Sequence, residues 1–229
     1  MKGLLVRVAI DKTAGAWNAP CRYQSREFTY VPIPESQPVV IQRKFEEVKP
    51  AIEKMGVDMP HHLSGLCMHL DPDFEKGTYG DQGRKGVQVN RLEKGDFIAF
   101  YAGFNPLDEC PHKLVYGLYG IMFVKKIISA ENKKHSDLNA HTRRKNIRDD
   151  EIVVIADSSR SGRFDRFIPI GEYREGCYRV TNPLLKRWGG LSIKNGFIQR
   201  SVNFPRFSDP KRFLDWLGKE KPKLIKNNW

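Results

Sequence analysis

Two long apolar runs near the middle of the chain constrain its fold more than any other feature. Leu92-Glu93-Lys94-Gly95-Asp96 reads as a turn, and residues 97–102 follow it as a strand. Residues 114–128 read as a second strand, buried at Val115, Leu118, Ile121 and Phe123. Runs of this kind need a sheet with cover on its apolar faces. Residues 4–10 add a buried first strand, and 27–33 a second one stopped by Pro32 and Pro34. Shorter strands are expected at 66–70, 151–156 and 167–170.

Helical spacing appears in three places. Phe45, Val48, Ile52 and Met55 recur on one face, with Pro50 placing the helix start near it. Residues 182–188 look helical, and Asp209 caps a last helix opened by Pro210, with Phe213, Trp216 and Leu217 as its apolar stripe. Residues 71–86 read as a long functional loop, and 132–150 as a basic helix or excursion. Together these elements predict a single α+β domain over 1–218, built around a mixed, curved β-sheet or partial barrel with flanking helices. A basic tail, 219–229, is expected to fray.

Composition narrows the partners. Apolar residues make up 40% of the 229, enough for a core, which excludes global disorder. Lys and Arg outnumber Asp and Glu by 39 to 27, a net charge of +12. That balance favours polyanions, with binding that weakens steeply as salt rises; the plain alternative is charge for solubility. Cys21, Cys67, Cys110 and Cys177 form no CxxC pair, so neither a zinc ribbon nor a disulfide framework is expected. Arg7 and Asp11 interrupt the opening residues too early for a signal peptide, and no run reaches the length of a membrane span. The expectation is a cytoplasmic protein.

The densest candidate site is His69-Leu70-Asp71-Pro72-Asp73-Phe74-Glu75. In extended chain, His69, Asp71 and Asp73 share a face as an N/O/O set, suited to a divalent metal or to acid–base catalysis. The bland alternative is a proline turn with solvated acids. On the functional reading Asp73→Asn is expected to abolish activity or ligand binding while costing the fold less than about 1 kcal/mol, since a loop carboxylate without a core role contributes little to stability. On the turn reading nothing should change. Thr78-Tyr79-Gly80-Asp81-Gln82-Gly83-Arg84-Lys85-Gly86 follows, with glycines that let backbone approach a ligand and Arg84 and Lys85 for an anion. It is not a Walker loop.

Three further segments qualify as nucleotide or nucleic-acid contacts. Ser158 to Phe164 offers hydroxyls, Arg160 and Arg163 for phosphate, and Phe164 for stacking on a base. His141, Arg143 and Arg144 sit in a basic stretch that suits phosphate and otherwise forms a solvated face; His141 alone is a weak candidate ligand. Trp17 and Asn18 follow the first strand, either at a site or as a lid on the core. Tyr79, Tyr101 and Phe164 could together cage a base.

Val6-Arg7-Val8-Ala9-Ile10-Asp11, Trp17-Asn18-Ala19-Pro20 and Tyr30-Val31-Pro32-Ile33-Pro34-Glu35 resemble a known family, as do His69-Leu70-Asp71-Pro72-Asp73-Phe74 and Thr78-Tyr79-Gly80-Asp81. The family is the third type of nucleotide modification associated domain. The resemblance spans nearly the whole chain and is most specific in its first half. It implies a role in phage or bacterial hypermodification of DNA bases, without a settled reaction or catalytic residues to carry over. Ala9 stands where such sequences would be expected to have glycine. A second, architectural similarity runs through Lys94-Gly95-Asp96-Phe97-Ile98-Ala99-Phe100-Tyr101, which resembles a strand of PUA-like and EVE-type barrels.

Three functions follow as expectations. The first is a protein that binds DNA or a nucleotide and takes part in modification of DNA bases. The second is a non-enzymatic reader of modified bases, and the third a metal-dependent nuclease or phosphohydrolase, with Lys85 or Arg84 facing the phosphate.

Overall fold

The computed structural model describes residues 1–199 and 201–229. Its strands are β1 (Gly3–Arg7), β2 (Pro20–Arg22), β3 (Glu27–Phe28), β4 (Ile33–Pro34), β5 (Met68–His69), β6 (Thr78–Asp81), β7 (Phe97–Pro106), β8 (Val115–Ser129), β9 (Ile152–Ala156), β10 (Gly162–Pro169), β11 (Gly171–Arg174), β12 (Cys177–Val180) and β13 (Leu224–Ile225). The helices are α1 (Lys49–Lys54), α2 (Gly83–Val89), α3 (Asn182–Trp188) and α4 (Pro210–Glu220). Nine strands form one mixed sheet, in which β7 and β8 are central. β8 pairs antiparallel with β7, β9 and β10, while β1 and β2 lie parallel to β7. The fold is a single α+β domain; the sheet is mixed and does not close into a barrel.

The reason β7 reads as one apolar run is that both of its faces are buried. Ile98, Phe100 and Ala102 enter one core with Leu4, Val6, Tyr119 and Met122. Phe97, Ala99 and Tyr101 enter the other with Leu5, Leu118, Trp188, Phe213 and Trp216. Helices α3 and α4 cover that second face, and α4 begins as expected, with the Asp209 carboxylate accepting from Arg212 N–H.

Three segments differ from the sequence reading. The 71–86 loop contains β6 and opens α2, because β6 pairs with β9 across more than seventy residues. The Ser/Arg segment after Ala156 runs straight into β10, and Phe164 is fully buried in the second core. The tail does not fray: β13 pairs with β10, and Asn228 is fully buried, donating to Asp73 and accepting from Phe74 N–H.

Candidate functional site

A cavity of about 240 Å³ lies where β1, β5, β6 and the 139–144 turn meet. The pairing of β4 with β5 sets Ile33 opposite His69 and brings Glu35 alongside, so that the Nδ1 of His69 lies 2.5 Å from a Glu35 carboxylate oxygen. Two residues on, the Asp71 carboxylate accepts from Gly80 N–H in β6. The Asn139 side chain donates to Asp71 and to Thr78, and accepts from His141 N–H. This one amide therefore docks the His141 turn onto the strand that holds Asp71. Gly80 has to be glycine for the same reason: a Cβ there would stand 2.4 Å from the His141 ring.

The result is a symmetric pair of histidines. The Nδ1 of His141 lies 2.5 Å from Glu151, as that of His69 does from Glu35. Both Nε2 atoms then face Asp71 Oδ2, at 3.8 Å from His69 and 3.7 Å from His141. Arg144 reaches both outer carboxylates, at 3.0 Å from Glu151 and 3.4 Å from Glu35. All three inward ligand atoms lie within 4.8 Å of one another.

Burial governs the electrostatics. It pushes the Asp71 carboxyl well above the usual range, despite the hydrogen bonds of Asn139 and Gly80. It also drives His141 down to about 4, against the opposing pull of Glu151, so the ring is neutral at pH 7. Burial would raise Glu35 as well, but the His69 hydrogen bond and Arg144 outweigh it and hold that carboxyl at about 2. On the rim, burial raises Asp81, against hydrogen bonds from the Tyr79 hydroxyl and Gln82 N–H.

Of the residues singled out from sequence, His69, Asp71, Tyr79, Asp81, Lys85, Tyr101 and Arg144 line this cavity. Asp73 does not. The chain reverses at Asp73, which pairs with Thr78, and its carboxylate turns into the protein to meet Arg143 at 2.9 Å. Arg143 is thus a buried structural partner. Arg84 is exposed, Asn18 is buried with its amide on Gly103, and Trp17 packs against the first core. Arg160 lies over Phe123 and Arg163 over Phe28, both away from the cavity. Phe164, buried on the far side of the sheet, has no surface for a base. Sequence reasoning gave no site role to Glu35, Glu151 or Gln82 and rated His141 only weakly; no local spacing ties them to His69.

Residues 2–192 match the family model of nucleotide modification associated domain 3. The chain belongs to that family. No curated protein and no solved structure matches it. The match to the nucleotide modification associated domain covers every residue of the histidine pair and its carboxylates. The cavity wall formed by Gln199, Ser201, Asn203, Phe204 and Pro205 comes from the chain after the matched segment. No helix among the described residues is long and apolar enough to cross a membrane.

Proposed function

We propose that this chain is a metal-dependent enzyme of nucleotide modification, acting on a nucleotide of DNA held against His69, Asp71 and His141. The observation that carries the reading is the pair of carboxylate–histidine dyads aimed at one buried carboxylate. Metal-binding histidines characteristically give their second nitrogen to a carboxylate, which fixes the tautomer and makes the free nitrogen a better ligand. Charge supports the same reading. Burial favours the protonated form of Asp71, so Glu35 and Glu151 against Arg144 leave one net negative charge, and a bound divalent cation would take up the Asp71 charge as well once that carboxyl gives up its proton.

Two imidazoles and one carboxylate suit a first-row transition metal such as zinc, manganese or iron(II) better than magnesium or calcium. Three protein ligands leave coordination positions for water and substrate. When bound, such an ion supplies Lewis acidity and an activated water. Asp81, on the rim and raised by burial, is suited to exchange a proton with the substrate. Lys85 on the cavity lining brings positive charge toward a phosphate, while Arg7, on the same lining, is paired with Asp11 at 3.1 Å. The reader hypothesis is less well supported, because Tyr79 and Tyr101 are almost fully buried, with their hydroxyls already bonded to Asp81 and to the Ile198 carbonyl, which leaves little ring face to cage a base.

The test is metal titration of the purified apoprotein by calorimetry with zinc and manganese, beside elemental analysis. One equivalent per chain is expected, with affinity reduced at least about 100-fold in H69A, D71N and H141A, and about 10–100-fold in E151Q. Wild-type protein without a stoichiometric site, or H141A binding as wild type does, would overturn the proposal.

A further inference from the structure

A second concavity, of about 1220 Å³, adjoins the candidate metal pocket. Ser201, Asn203 and Phe204 line both, so among the described residues that short segment of chain stands between the two. The segment is pinned from below: Gln88 accepts from Phe204 N–H at 3.0 Å and donates to the Val202 carbonyl at 3.4 Å. Lys85 stands 5.1 Å over the Phe204 ring. Beyond it, the chain runs antiparallel to β1, with Leu4 opposite Arg206 and Leu5 N–H donating to the Pro205 carbonyl. The groove wall is therefore built on the central sheet.

Its lining is chemically one-sided. Lys2, Arg91 and Arg206 face it, with neutral hydrogen-bonding groups from Gln88, Asn90, Ser192 and Ser208. Glu93 is the acid on this lining, and Lys2 already pairs with it at 2.7 Å. Arg91 and Arg206 are exposed, and among the described residues neither guanidinium has an acidic partner. Arg206 is nevertheless fixed at its backbone, where Ser192 bonds both its N–H and its carbonyl. Unpaired arginines on a rigid wall, beside amides and hydroxyls, form a track for a phosphodiester backbone. The inner pocket, in contrast, is smaller than the ~300–1,000 Å³ that holds a whole drug-sized ligand. It suits one base, the part of a strand that an enzyme turns out to reach its reactive atoms.

From these two adjoining cavities we infer that the substrate is a DNA strand and not a free nucleotide. One everted nucleotide enters the His69–Asp71–His141 pocket, while the adjoining strand lies in the groove with its phosphates at Arg91 and Arg206. This rests on the nucleotide reading of the pocket proposed above, but its test is separate. Fluorescence anisotropy with a labelled single-stranded DNA of about twelve nucleotides, on metal-loaded full-length protein, is compared with calorimetry on a deoxynucleoside monophosphate. The strand is expected to bind at least about ten-fold tighter than the monomer.

In the double variant R91Q/R206Q the slope of log K against log salt should flatten by roughly 1.4, at about 0.7 per lost contact, so that wild type loses about seven-fold more affinity than the variant between ~50 and ~200 mM salt. Melting temperature and metal stoichiometry are measured on the same variant, so that misfolding does not pass for lost binding. A strand no tighter than the monomer, an unchanged slope in the folded variant, or RNA bound tighter than DNA would each overturn the inference. An arginine-dependent slope in protein that takes up no metal would leave the groove standing and overturn the metal reading instead.

Discussion

Asp71 and Asp73 stand two residues apart, yet the structure assigns them opposite consequences on losing their charge. Asp73 is fully buried. Its Oδ1 accepts from Lys76 N–H and from Asn228 Nδ2, and its Oδ2 accepts from Arg143 at 2.9 Å. In Asp73→Asn the remaining oxygen can keep the first two bonds, but the new amide nitrogen faces the guanidinium, donor against donor. Arg143 is only 2% exposed, so water cannot replace the lost partner. Breaking a buried pair from one side costs about 3–5 kcal/mol. Arg143 retains Asp137, at 2.6 Å from its Nε, on a half-exposed side chain, which places the cost near the lower end. At ~2–4 °C per kcal/mol for a domain of this size, about 3 kcal/mol lowers the melting temperature by roughly 6–12 °C. The sequence-based expectation of less than about 1 kcal/mol is therefore reversed.

Asp71→Asn is the counterpart. Gly80 N–H and Asn139 both reach Asp71 Oδ1, which an asparagine retains, and no lysine or arginine is paired with Asp71 among the described residues. Removing a charge that burial already disfavours should cost less than about 1 kcal/mol, while abolishing metal binding. Differential scanning calorimetry and metal titration on the two variants separate the roles. A melting shift below about 3 °C in Asp73→Asn, or wild-type metal affinity in Asp71→Asn, would refute the reasoning.

Three other variants or reagents probe local physics. Ala9 lines the cavity at φ 100°, a conformation that costs an L residue about 1–2 kcal/mol, so Ala9→Gly should raise stability by roughly 1 kcal/mol in denaturant melts. Gly80→Ala should push the His141 ring out of line, lowering metal affinity at least about ten-fold with a smaller loss of stability, read by titration and thermal melts. Burial, with help from Cys110 and Asp108, raises the Cys21 thiol to about 12 from its usual 9.0. The folded thiol then holds its proton where the unfolded one loses it, so this contribution is complete below pH 9 and disappears as pH rises from 9 toward 12. Native-state alkylation followed by mass spectrometry should accordingly modify Cys67, Cys110 and Cys177 but spare the buried Cys21 until the protein unfolds.

Much of the frame was legible in the sequence because it is written in local patterns. Unbroken apolar runs gave β7 and β8, and an acidic cap before proline gave α4. Elements fixed by partners distant in sequence were not legible in this way. β6 is four residues of glycine-bearing polar chain that becomes a strand only against β9. β13 reads as basic tail, and is held by two pairs with β10 and by the buried amide of Asn228. In each case long-range pairing overrides composition.

The same division runs through the candidate site. Period-two spacing placed His69 and Asp71 on one face, and in the structure both point into the cavity. Continuing that period to Asp73 assumes that the chain stays extended. It turns instead, because Asp73 and Thr78 exchange both backbone hydrogen bonds, and that reversal carries the carboxylate inward to Arg143. The third inward ligand atom then comes from His141, seventy residues beyond Asp71, through the Asn139 amide that bonds both segments. A local rule could supply two members of such a set, but not the third, whose position depends on β6 meeting β9. The outer carboxylates follow the same logic: Glu35 arrives with β4 and Glu151 at the entry to β9, each placed by a strand that the sheet had to form first. The site is thus a consequence of the pairing of these strands, and a change that loosens β6 against β9 should disturb His141 before it disturbs His69.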